Sequence, residues 1–125
     1  MRMPVFILFT FSLLSPIGAK ADDTTAISHL IDEINAGMKS NKPRMMRILI
    51  LNTDVAAETL EAQKRQTGFS YGEVYVAHSL ALASHRTFKQ IAAMKAGGQT
   101  WSGIARTLNV SLKGSTAAIK EMLKE

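Results

Sequence analysis

"TGFSYGEV", residues 67–74, sets two glycines around a serine in Gly68-Phe69-Ser70-Tyr71-Gly72. That spacing is G-x-S-x-G, the pattern of a serine-hydrolase nucleophile elbow. It also spells the end of one helix and the start of another. The two readings demand different folds. An elbow needs a strand before the serine, a helix after it and a parallel sheet beneath. Here the preceding residues are "LEAQKRQT", a polar helical run. Catalysis would further need a base beside Ser70. The histidines are His29, His78 and His85, and the nearest in sequence, His78, falls two turns along the helix that Ser70 would open.

Read as punctuation, every position is used. Gly68 tolerates the left-handed conformation just past a helix end. Ser70 is an N-cap that accepts from first-turn amides, and Glu73 three residues on completes an S-x-x-E capping box. Phe69 and Val74 take the places of a hydrophobic staple. The stretch therefore predicts helix, turn, helix. It assigns Gly68, Ser70 and Glu73 structural roles and no catalytic one.

The same grammar extends in both directions. Upstream, Ile27, Leu30, Ile31, Ile34 and Met38 recur at helical spacing over residues 24–39. Asp22 and Asp23 sit at the expected start, where carboxylates favour the helix dipole. The run "PRMMRILILN" is too continuous for a clean period and fits either a buried helix or a strand. Pro43 suits a first helical turn, and a lone strand would lack a partner, so a short buried helix is expected. The next helix has Thr53 or Asp54 as its cap, with Glu61 and Arg65 paired on an exposed face. Downstream come an alanine-rich helix from Tyr71, a helix with Phe88 and Ile91 inward and Gly97-Gly98 as its stop, a helix capped by Thr100, and a last one from Ser111. The predicted fold class is all-α: a compact bundle of about six or seven short helices with no sheet.

The N-terminus bears on compartment. Arg2 is followed by an apolar run over residues 5–14, the breaker Ser15-Pro16, and Ala19-Lys20-Ala21. This is the layout of a cleaved secretory signal peptide over residues 1–21. The run is shorter than the ~20 residues a membrane span needs. Residues 22–125 then form a single helical domain that is periplasmic or secreted. The chain has no cysteine, which excludes disulfides, thiol chemistry and a lipid-modified cysteine. Its formal charge is +5. From residue 86 onward there are seven basic and two acidic residues, which reads either as a solvated helix face or as a surface for an anionic polymer or envelope component.

Candidate sites are few. Tyr71, Tyr75 and His78 share one helical face at i, i+4 and i+7, either as a binding stripe or as a boundary layer with its polar tips in water. Trp101 is expected to anchor a short helix in the core or at a subunit contact. No H-E-x-x-H occurs and histidines are sparse, so neither a metal nor a cofactor is expected. Residues 100–124 resemble a DNA-binding helix-turn-helix, whose run is I-A-x-x-L-G-V-S. Ile104, Ala105, Leu108, Val110 and Ser111 match, and Asn109 stands where the turn glycine is usual. The resemblance implies a recognition helix presenting Lys113, Thr116 and Lys120. That helix has no arginine for bidentate guanine reading and carries a weakening Gly114, and a leader would export the chain away from DNA. Nucleic acid is therefore the less favoured partner.

Residues 67–110 also resemble a group of small exported bacterial proteins of unknown function. Those share G-E-x-x-x-A-x-x-L-A, then an F-x-x-I helix, then G-x-x-W-x-x-I-A-x-x-L-x-V. Gly72, Glu73, Ala77, Leu80, Ala81, Phe88, Ile91, Gly98, Trp101, Ile104, Ala105, Leu108 and Val110 fit. The resemblance implies an exported all-helical protein and carries no catalytic residue.

Overall fold

The structure, a computed structural model, describes residues 17–124. The apolar run of the expected leader lies outside the described residues. Seven helices follow in order: α1 (Ile17–Ser40), α2 (Lys42–Thr53), α3 (Ala57–Thr67), α4 (Tyr71–Ser84), α5 (Phe88–Ala96), α6 (Trp101–Leu108) and α7 (Lys113–Leu123). No strand occurs among the described residues. The all-α bundle matches the expectation.

Helix α4 is the axis. Gly72, Val74, Tyr75, Val76, Ala77, Ser79, Leu80 and Ala81 are all buried. A helix without a polar stripe is surrounded by protein on most sides. Helices α1, α2, α3, α5 and α6 all pack on α4, and α1 also packs on α2, α6 and α7. The core contributed by α1 is Ile27, Leu30, Ile34 and Met38, the face its spacing predicts.

Where α1 crosses α4, the backbones touch. A Cβ on Gly72 would lie 2.6 Å from the Ile31 carbonyl oxygen and 2.8 Å from the Ile31 Cα. The Gly72 N–H donates to Asn35 Oδ1 at 2.8 Å, fastening α4 to α1 at the same point.

The punctuation between α3 and α4 is as read. Gly68 is left-handed at φ 80° and its N–H closes on the Lys64 carbonyl. Ser70 Oγ accepts from the Glu73 N–H at 3.2 Å, and Glu73 Oε1 accepts from the Ser70 N–H at 3.0 Å. Thr100 caps α6 by accepting from the Gly103 N–H at 3.0 Å. Asn109 ends α6 in the left-handed region at φ 59°, so asparagine fills the turn role usual for glycine.

Residues 43–52 are helical, as expected, with Asn41 capping and Pro43 in the first turn of α2. Three local expectations are corrected. Neither Thr53 nor Asp54 caps α3. Thr53 donates to the Leu49 carbonyl at 2.8 Å, and Asp54 adopts φ 59° to close α2. Helix α3 starts after Ala56 with no side-chain cap. Helix α1 starts at Ile17 rather than residue 24, so Asp22 and Asp23 do not stand in its first turn. Helix α7 starts at Lys113, after Leu112 and not at Ser111. Its far end is held by Arg44, whose Nη2 donates to the Met122 and Leu123 carbonyls at 3.1 and 3.2 Å. That places a cation on orphan carbonyls at the negative end of a helix.

Candidate functional site

The capping segment is the floor of a hollow. Asn35, Met38 and Lys39 from α1, Lys64 from α3, and Gly68, Phe69, Ser70, Tyr71 and Glu73 enclose about 540 Å³. The fold creates it by bringing two helix C-termini to one helix N-terminus. Lys39 and Lys64 each stand in the last turn of their helix, where the dipole favours a cation.

Tyr71 organises the rim. Its hydroxyl donates to Glu61 Oε1 at 2.9 Å. Lys42 Nζ lies 3.0 Å from Glu61 Oε2. Lys42 Nζ stands 5.4 Å and Lys64 Nζ 4.9 Å from the centroid of the Tyr71 ring, within cation–π range. Hydrogen bonding to Tyr71, then to Glu61, holds the Lys42 ammonium above its ordinary value. Burial works to raise the Glu61 carboxyl, but the Lys42 ammonium and Tyr71 hydroxyl offset it and leave the group below its ordinary value. Arg65, the expected partner of Glu61, is replaced by Lys42 across the α2–α3 contact, because Glu61 points to its neighbour rather than along its own helix.

Glu73 is committed on both oxygens. Oε1 accepts from Ser70, and Oε2 accepts from Trp101 Nε1 at 3.0 Å. The Trp101 ring is 7% exposed. Phe69 meets it edge-on at 5.3 Å, and Lys95 Nζ stands 5.3 Å from its centroid. Trp101 thus locks the start of α6 to the start of α4, as a core anchor. Ser70 Oγ is engaged by the Glu73 amide, and none of the three histidines hydrogen-bonds it. Helix lies on both sides of the serine, with no strand-to-helix bend.

The predicted stripe divides. Tyr75 is 2% exposed and belongs to the core, so it offers no ring to a ligand. Tyr71 and His78 both turn onto α3. His78 Nε2 lies 2.6 Å from Gln63 Oε1, and its ring stacks on Phe88 at 4.6 Å. Burial lowers the His78 pKa to about 4.

This fixes a pH dependence. The folded pKa lies below the ordinary value of 6.5, so the unfolded chain binds the proton first. The contribution is intact above about pH 6.5 and is lost as pH falls toward 4. With part of the ring reaching solvent, the loss is about 1–2 kcal/mol. Urea unfolding at pH 7.5 and pH 4.5 is the check: the difference shrinks by that amount in His78→Gln. Equal pH sensitivity of the two proteins would remove His78 as its source.

Lys120 is far from this arrangement. It lines a separate hollow of about 250 Å³ with Ile27, Ala105, Leu112 and Thr116. The Lys113 side chain lies outside the described residues. Thr116, named by the helix-turn-helix resemblance as a base contact, is only 9% exposed. Helices α6 and α7 pack on α1 and scarcely on each other. Nor do the C-terminal cations share one face. Lys95 covers Trp101, Lys120 lines the α1–α6–α7 hollow, and Arg86 lines a third with His78 and Leu82.

Sequence reasoning missed Lys39, Lys42 and Lys64. Lys39 and Lys64 read as cations in the last turn of a helix, which dipole compensation alone explains, and Lys42, at the start of α2, carries no such signal. No protein-family model, curated protein or solved structure matches the chain.

Proposed function

We propose that this is an exported, non-catalytic helical binding module, and that the hollow between α1, α3 and α4 holds acidic groups of an anionic envelope polymer. One observation carries the reading. The carboxylates at the hollow, Glu61 and Glu73, have their oxygens engaged by Lys42, Tyr71, Ser70 and Trp101. Among the described residues no carboxylate stands within ion-pair distance of Lys39 or Lys64, which line the same space, and Lys64 acts on Glu61 only from beyond that distance. An acidic group entering there meets two ammonium groups without displacing an internal pair. The leader-like residues 1–21 and the resemblance to small exported proteins support export. Cleavage after Ala21 would also place Asp22 and Asp23 at the new N-terminus of α1, where their charge is favourable.

The test is a salt titration of binding to polyphosphate and to poly-glutamate, with duplex DNA in parallel. Lys39→Gln with Lys64→Gln is expected to weaken polymer binding about tenfold and to flatten its salt dependence. Unchanged affinity in the double variant removes the hollow as the site. Sequence-selective DNA binding lost in Lys120→Gln would favour the helix-turn-helix reading instead. Terminal sequencing of envelope-fraction protein should begin at Asp22.

A further inference from the structure

Two large apolar side chains stand exposed among the described residues, Leu51 at 71% and Leu82 at 74%. Single exposed leucines need no explanation, but these two border hollows that touch. Leu51 lines a hollow of about 220 Å³ with Arg44, Arg47 and Met122. Leu82 lines another of about 260 Å³ with Asn52, Thr53, Phe88 and Arg86. The hollows adjoin, because Asn52 of the second donates Nδ2 to Met122 Sδ of the first at 3.0 Å. Each leucine thus has an apolar neighbour and an arginine beside it. Arg44 is engaged with the end of α7. Arg47 and Arg86 have no carboxylate within ion-pair distance among the described residues.

We infer that this surface docks the protein peripherally on an anionic lipid membrane. The leucines enter the boundary between headgroups and acyl chains, and Arg47 and Arg86 take headgroup phosphates in the hollows beside them. A lipid surface fits better than a protein partner for two reasons. Protruding leucines flanked by unpaired cations are complementary to a surface that is apolar beneath and negative above. A guanidinium also matches phosphate geometry through two parallel donors. No helix among the described residues is long and apolar enough to cross a membrane, so the contact is one of docking. None of these residues lines the α1–α3–α4 hollow, so the two proposals stand or fall separately.

The chain has no cysteine, so Leu51→Cys and Leu82→Cys each accept one polarity-sensitive fluorophore. Gln66→Cys, exposed beside the opposite end of α4, is the reference position. Using the full chain and vesicles of phosphatidylglycerol, a blue shift is expected at 51 and at 82, and none at 66. Phosphatidylcholine vesicles should give no shift. In the labelled background, Arg47→Gln and Arg86→Gln should each weaken partitioning about fivefold, and added salt should weaken it further. Vesicle binding without a shift at 51 or 82, as anchoring by residues 5–14 alone would give, overturns the inference. So does a shift that needs no vesicles and grows with protein concentration, which would assign the leucines to a second copy of the chain.

Discussion

Gly72→Ala is expected to cost about 3–4 kcal/mol, although it adds a single methyl group to a residue already inside a helix. Elsewhere in a helix the change would help, since alanine is the better helix former. Here the methyl would lie 2.6 Å from the Ile31 carbonyl oxygen and 3.0 Å from its carbon, and both atoms are backbone. No side chain can rotate away. Helices α1 and α4 must separate, which is the overpacking penalty of about 1–3 kcal/mol or more. Separation also stretches the hydrogen bond from Gly72 N–H to Asn35 Oδ1, worth about 1 kcal/mol. For a domain of this size the melting temperature should fall by roughly 15–25 °C. Gly68→Ala is the comparison. That glycine is needed for its φ of 80°, and nothing lies within 4 Å of an added Cβ, so its loss should be about 1 kcal/mol. Urea denaturation of the two variants separates contact from torsion. A Gly72→Ala protein within about 1 kcal/mol of the parent would mean that the helices do not meet here.

The contrast shows where sequence information runs out. Gly68, Ser70, Glu73 and Thr100 were legible because a cap is a local bargain among residues three or four apart. Helix existence was legible for the same reason, down to Pro43 in the first turn of α2. The Gly72 contact was not, because Ile31 is forty-one positions away and no local rule relates the two. The N-terminal boundary of α1 and the cap of α3 were misjudged where several polar residues could serve and no local rule chooses among them. Asp54 illustrates the choice, closing the helix before it and leaving the next one uncapped. The rim of the hollow was hidden for a related reason. Lys42, Glu61, Lys64 and Tyr71 come from three helices; Tyr71 is visible in the sequence as part of a helical stripe, but each of the three charged residues taken alone reads as an ordinary solvated position.

Glu73→Ala is expected to cost about 3 kcal/mol, roughly three times what a helix cap alone is worth. Loss of the Ser70 cap, as in Ser70→Ala, should cost about 1 kcal/mol. Glu73 does more because its carboxylate also accepts from Trp101 Nε1 at 3.0 Å. Removing it deletes two hydrogen bonds to a charged acceptor and leaves the indole donor of a 7% exposed ring unsatisfied. Glu73→Gln keeps one carbonyl acceptor and should recover about half of the loss. Trp101→Phe is destabilising in its own right, through lost volume and a lost bond. Combined with Glu73→Ala, however, it should cost about 1 kcal/mol less than the sum of the single changes, because the orphaned donor is gone. The chain has one tryptophan, so its emission in Glu73→Ala reports directly on whether the indole has moved toward water. Strict additivity, with unchanged emission, would show that Glu73 acts on the cap alone and that α4 and α6 are joined by apolar packing only.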